Sequence, residues 1–178
     1  DVTAIYRLAI DGNDRIHVPQ SGDELIELLR GRHAVLKAAR PDKRPGEFKN
    51  LPNFAGGYQF VEPGLVEGTL RESFELLDRL REPLARATGI MALITECHPF
   101  DDCNGRIARL AANAELSTAG EIRLVIPNVY RNNYLAALGG FSNGAGHGEQ
   151  LVAVLEFAQR WAAAVDWSSF DGANAILE

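Results

Sequence analysis

Apolar residues return at helical spacing through three windows in the first half of the chain: Glu24 to Ala39, Leu65 to Leu80 and Leu84 to Thr95. In the second window Val66, Leu70, Phe74 and Leu77 recur three or four positions apart, which places them on one side of a helix. Asn104-Gly105 precedes an unbroken series of helix formers, so a further helix is predicted from Asn104 through Leu116, with Gly120 at the end of "LSTAG" as its terminator. A shorter helix is predicted about Tyr130 to Leu138. An amphipathic one follows from Glu149 to Val165, with Leu151, Val154, Leu155, Ala158 and Trp161 on its apolar side. The texture changes between Pro41 and Pro63, where proline and glycine punctuate two short runs, Gly46 to Lys49 and Tyr58 to Val61. These runs predict either a hairpin flap or an unstructured surface connection. The pattern as a whole predicts a mainly α protein with at most a small β element.

A chain of 178 residues fits a single domain. Residues 1–40 read as a helical or irregular N-terminal extension and residues 41–178 as the core. With 18 basic against 24 acidic residues the net charge is -6, and no basic stripe is present, which argues against a nucleic-acid partner. The 46% hydrophobic content is broken into short periodic runs, none near the roughly 20 consecutive apolar residues of a membrane span. A soluble protein is expected. Two cysteines make no disulfide framework, and this usage points to a reducing, cytoplasmic compartment.

The chemistry concentrates in "ITECHPFDDCNGRIARLAANAEL", Ile94 to Leu116. A helix starting near Asn104 presents unpaired N–H groups and a partial positive charge, which together attract an anion. Gly105 lets the backbone approach that anion closely. Arg106 and Arg109, three apart, lie on one side of the first turns and can hold further phosphate oxygens. Asp102 just before the helix is a hard carboxylate of the kind that shares Mg²⁺ with substrate phosphates. His98 is a candidate general base, since an imidazole titrates near pH 6.5 in water, about where a base must work. Singly, each has a structural explanation: a hydrogen-bonded histidine, an N-cap, a solvated helix face. Together, base, metal ligand, anion hole and cations make up a site for phosphoryl or nucleotidyl transfer.

"HPFDDCNGRIAR" resembles the signature of the Fic domain family, H-x-F-x-[D/E]-G-N-G-R-x-x-R, at seven of its eight fixed positions. The resemblance extends to "GEFK" and "AGGYQFVEP", similar to that family's flap, and to "VYRNNYLAAL" with the segment after it, so it covers about Pro45 to Trp161. It implies a Fic-type helical bundle with a β-hairpin flap and a protein adenylyltransferase, which moves AMP from ATP to a Ser, Thr or Tyr hydroxyl of a target protein with Mg²⁺. By position, the resemblance implies His98 as the catalytic base, Phe100 as the buried loop anchor and Asp102 as the Mg²⁺ ligand. Asn104 and Gly105 would line the anion hole, while Arg106 and Arg109 would hold the outer phosphates. Tyr134 and Asn143 would border the nucleotide base, and Gly56, Gly57 and Tyr58 would belong to a flap that docks the target backbone by strand addition.

One position departs from the pattern, with Cys103 standing where the family signature has its first glycine. If that position needs a positive φ, cysteine costs about 1 kcal/mol or more; if it needs only a small residue, cysteine is tolerated. The departure leaves other donors open, with UMP, phosphoryl or phosphocholine transfer as alternatives, as is a catalytically impaired nucleotide-binding regulatory module. Cys97 and Cys103 bracket His98, but His17, His33 and His147 supply no matching spacing for a four-ligand zinc site. A thiol beside a helix N-terminus also invites redox control. Many Fic proteins carry an inhibitory helix, [S/T]-x-x-x-E-[G/N], whose glutamate pairs with the second arginine, here Arg109. The nearest match, Ser117 to Glu121, fails because Ile122 follows. Any inhibitory glutamate would therefore lie beyond these residues, come from a partner protein, or be absent.

Overall fold

The computed structural model describes residues 3–4, 8, 17–55, 57–144, 148–169 and 171–173. The chain divides into two compact units, Asp1–Ala119 and Gly120–Glu178.

The first unit holds helices α1 (Gly22–Lys37), α2 (Val66–Leu77), α3 (Pro83–Cys97) and α4 (Asn104–Thr118), with a hairpin of β1 (Phe54–Ala55) and β2 (Tyr58–Gln59) between α1 and α2. Each helix starts for a local reason. Ser21 caps α1 by accepting from the Glu24 N–H at 3.2 Å, and Glu82 caps α3 by accepting from Leu84 and Ala85, with Pro83 in the first turn. The apolar faces then meet: Leu25, Leu29 and Leu36 of α1, Leu70 and Phe74 of α2, Ile90, Met91 and Ile94 of α3, and Ile107 and Leu116 of α4 are buried. Each such side chain contributes about 1.5–3 kcal/mol on leaving water. Gly22 lets α1 approach α2 closely, since a Cβ there would sit 2.6 Å from the Arg71 Cα.

The predicted helices all form, with ends shifted by a few residues. The hairpin is antiparallel, pairing Phe54 with Gln59 and Ala55 with Tyr58. Its second strand lies in the predicted run Tyr58 to Val61, but its first is Phe54–Ala55, not Gly46 to Lys49. Backbone donors of the earlier run are taken elsewhere: the Gly46 N–H by His33 Nδ1 at 3.0 Å and the Lys49 N–H by the Pro99 carbonyl at 2.8 Å. That run is pinned beside the loop after α3, with the N–H groups of Gly46, Glu47 and Lys49 already taken.

The second unit contains α5 (Arg131–Ser142) and α6 (Glu149–Ala164), which pack on one another. Tyr130 and Phe157 meet edge to face with ring centroids 4.7 Å apart. No helix among the described residues is long and apolar enough to cross a membrane.

Candidate functional site

The site is built on the six-residue connection between α3 and α4, His98 to Cys103, whose two ends both adopt left-handed backbone. His98 terminates α3 at φ 47°, its N–H donating to the Ile94 carbonyl, and Cys103 opens α4 at φ 71°. Between them Phe100 is fully buried, stacked on the His33 ring at 4.0 Å and tilted against Phe48.

Asn104 closes this loop. Its side chain accepts from the Phe100 N–H at 2.9 Å and donates to the Phe100 carbonyl at 2.8 Å, and the residue is only 2% exposed. What Asn104 offers an anion is therefore its backbone N–H, not its amide group. That N–H and the one of Gly105 have no acceptor among the described residues, whereas the N–H groups of Arg106 and Ile107 turn back to the Cys103 carbonyl. Two adjacent donors at the mouth of a helix form an anion cradle. The Arg109 guanidinium folds back over this end of α4, 3.5 Å from where a Cβ on Gly105 would lie, and has no carboxylate partner among the described residues. Arg106 flanks the cradle from Asp102's side, 3.6 Å from that carboxylate.

His98 is half-buried and oriented from two sides. Its Nδ1–H donates to the Thr95 carbonyl at 3.3 Å, which leaves Nε2 as the basic nitrogen, and Phe60, just after β2, stacks on the imidazole at 3.9 Å. Burial pushes the His98 pKa below its ordinary value; the charge of Lys49 adds to the shift, and the Thr95 carbonyl and Asp102 oppose it. The result is an imidazole held neutral, the form that can accept a proton.

Lys49 and Asn53, absent from the sequence-based candidates, tie this loop to the hairpin. The Lys49 ammonium is buried, donating to Asn53 Oδ1 at 2.7 Å and to the Cys97 carbonyl at 3.2 Å. The Asn53 amide donates to the carbonyls of His98 and Phe100. Tyr58 anchors the hairpin by donating to Glu96 Oε2 at 3.0 Å. Gly57 has open space around it, while Gly56 lies outside the described residues, as does His147. Nothing in the local sequence marks Lys49 or Asn53, because the loop carbonyls they hold lie more than forty residues away.

Asp102, the expected Mg²⁺ ligand, is already engaged. Lys37, at the end of α1 and 1% exposed, donates to Oδ2 at 2.6 Å, and the Cys103 N–H donates to Oδ1 at 2.6 Å. Burial raises the Asp102 pKa, but the Lys37 bond, the Cys103 N–H and Arg106 outweigh it and hold the carboxyl below its usual value. Among the described residues no group of three or more His, Cys, Asp or Glu is arranged to hold a metal. The donor set thus makes no divalent-cation site of its own: it has one carboxylate, and that carboxylate already carries an ammonium.

Cys103 resolves the question its position raised. At φ 71° it occupies the conformation glycine favours, and it is 5% exposed, its side chain packed inside. Both cysteines are free thiols. Burial pushes the Cys97 thiol up to about 12, which leaves it inert. Tyr134 is buried in α5 of the second unit, and Asn143 ends that helix with its amide donating to the Gly139 carbonyl at 2.8 Å.

Fic proteins of known structure share this fold. Fic-1 from C. elegans superposes with a TM-score of 0.70 at 22% identity, covering 91% of this chain and 47% of that one. A Fic domain containing signaling protein from Bacteroides thetaiotaomicron gives 0.69 at 17% identity, with 99% and 72% covered. A Fic family protein from Desulfovibrio desulfuricans gives 0.66 at 21%, with 95% and 53% covered. This chain spans about half the length of that C. elegans chain, which comprises residues 134–508 of Fic-1. No curated protein matches it. The Fic/DOC family model matches residues 24–116, from Glu24 in the first turn of α1 through the hairpin, α2, α3 and the loop after it to Leu116 in α4. With its loop, cradle and flanking arginines in that family's order, the chain belongs to the Fic/DOC family.

Proposed function

We propose that the protein is an adenylyltransferase that transfers AMP from ATP to a Ser, Thr or Tyr hydroxyl of a target protein. One observation carries the reading: a neutral imidazole with its Nε2 unengaged among the described residues, on the same short loop as a helix N-terminus with two unpaired N–H groups and two arginines. His98 Nε2 would take the proton of the incoming hydroxyl as its oxygen attacks the α-phosphorus, and pyrophosphate would leave. The Asn104 and Gly105 N–H groups would stabilise the charge on the attacked phosphate, while Arg106 and Arg109 would absorb that of the leaving group. Mg²⁺ would enter as the companion of ATP's phosphates, and no step is assigned to it. Gly56, Gly57 and Tyr58 would be the docking edge for an extended target segment. An inhibitory glutamate from a partner or a further segment would act by taking Arg109.

The test is incubation with ATP labelled at the α- or the γ-phosphate, scoring protein-bound label for the wild type and His98→Ala. Label from the α-position only, lost in His98→Ala while ATP binding is kept, is the expected result. Label from the γ-position would replace the reading with phosphoryl transfer, and full α-labelling in His98→Ala would remove His98 as the base.

A further inference from the structure

Two carboxylates stand side by side in the loop between α3 and α4, and each has been given a cation, one from the last turn of α1 and one from the turn that follows it. Arg44 donates through Nε and Nη2 to Asp101 Oδ2 at 3.1 and 3.0 Å, and Lys37 donates to Asp102 Oδ2 at 2.6 Å. The two pairs differ in kind. Arg44 and Asp101 lie near the surface. Lys37 is among the most completely buried side chains, yet its ammonium emerges at a carboxylate that is 43% exposed and faces the phosphate cradle. Burying a lysine stem and desolvating its ammonium is costly, and a half-exposed aspartate needs no such partner, since water would serve it. The arrangement gains a fixed positive charge at the one point of the site where phosphates and a carboxylate would otherwise meet with like sign.

A divalent cation at Asp102 would do the same electrostatic work. Both cannot be well served by one carboxylate, whose Oδ1 is also held by the Cys103 N–H at 2.6 Å. We propose that Lys37 takes the place of the divalent cation in nucleotide binding: its ammonium neutralises the Asp102 carboxylate from the buried side, so that the cradle binds a nucleoside triphosphate without metal. The proposal rests on the nucleotide reading above. Arg106 and Arg109 then meet phosphates in a corner that is positive on balance, where a lone Asp102 would repel them.

The test is ATP binding by calorimetry in excess EDTA and in excess Mg²⁺, for the wild type, Lys37→Met, which keeps the stem volume, and Asp102→Asn. Wild-type affinity is expected to agree within about threefold between the two conditions. Lys37→Met should bind about tenfold or more weakly in EDTA and recover in Mg²⁺, as Asp102 is released to the metal. Asp102→Asn should bind in EDTA at least as tightly as the wild type. A merely structural latch would weaken binding equally with and without metal. If Lys37→Met does not fold, the wild type and Asp102→Asn still decide: a wild type that loses tenfold or more in EDTA overturns the proposal. If no protein binds ATP under either condition, the nucleotide reading falls, and titration with Mn²⁺ alone by electron paramagnetic resonance judges Lys37 separately. Uptake by Lys37→Met but not by the wild type supports the proposal, and equal uptake, or none by either, overturns it.

Discussion

The Phe100 carbonyl accepts from two side chains, Asn104 at 2.8 Å and Asn53 at 3.1 Å, while the Phe100 N–H has Asn104 alone, at 2.9 Å. This asymmetry predicts how the loop responds to losing either residue. In Asn104→Ala the buried Phe100 N–H is left without an acceptor, at about 1–3 kcal/mol, and one ordinary bond is lost at the carbonyl, at about 1 kcal/mol. Alanine's better helix propensity in the first turn returns about 0.5 kcal/mol. The net expectation is a destabilisation of about 2.5 kcal/mol. Asn53→Ala removes half-buried bonds whose partners keep other contacts or reach water, so about 1–2 kcal/mol is expected. Only the double variant strips the Phe100 carbonyl of both donors, so its cost should exceed the sum of the single ones by about 1–2 kcal/mol. Urea unfolding followed by far-UV circular dichroism measures all three. Fluorescence would miss the loop, because both tryptophans, Trp161 and Trp167, lie in the other unit. Costs that add within about 0.5 kcal/mol would refute the shared acceptor, and an Asn104→Ala cost below about 1 kcal/mol would refute the clamp itself.

Other expectations follow from the same loop. His33, which stacks on Phe100, has its pKa lowered by burial from 6.5 to about 4. The folded state therefore holds it neutral, and its contribution, present above pH 6.5, is lost as pH falls toward 4 because the unfolded chain takes up the proton first. Melting temperatures should fall through that window and more shallowly in His33→Gln; equal slopes in both would count against the assignment. Cys103 at φ 71° predicts that Cys103→Gly is more stable than Cys103→Ala by about 1 kcal/mol, read from urea midpoints, since both lose the thiol but only glycine relieves the left-handed backbone. Equal midpoints would mean that the loop relaxes around any residue. For transfer activity, the lowered His98 pKa places the acid limb of the pH–rate profile below the 6.5 of a free imidazole, and a limb above it would contradict a buried base.

The helices were legible because periodicity survives where burial is one-sided, and even their misplaced ends have a reason. The spacing of α2 runs on to Leu80, while the helix stops at Leu77, because Leu80 still packs against α3: a Cβ on Gly89 would meet Leu77 at 2.8 Å and Leu80 at 3.0 Å. His98, the cradle and both arginines were legible because they lie within twelve consecutive residues. Whatever depends on distant partners was not. The Lys37–Asp102 pair spans 65 residues and Lys49 reaches Cys97 across 48, so neither leaves a local trace. The first strand was misplaced for the same reason, since its competitor Gly46 to Lys49 gives its donors to His33 and Pro99. The left-handed backbone at Cys103 could be framed from sequence only as one of two alternatives.

A ladder of two residues per strand is too short to persist on its own. The hairpin's order is lent to it by Phe60 on the His98 ring, by Tyr58 on Glu96 and by the Phe60 N–H on the Asn53 carbonyl. The hairpin is therefore a gauge of the loop between α3 and α4. Disturbance around His98 should appear first as faster deuterium uptake at the Phe60 amide, while the helices still exchange at their native rate.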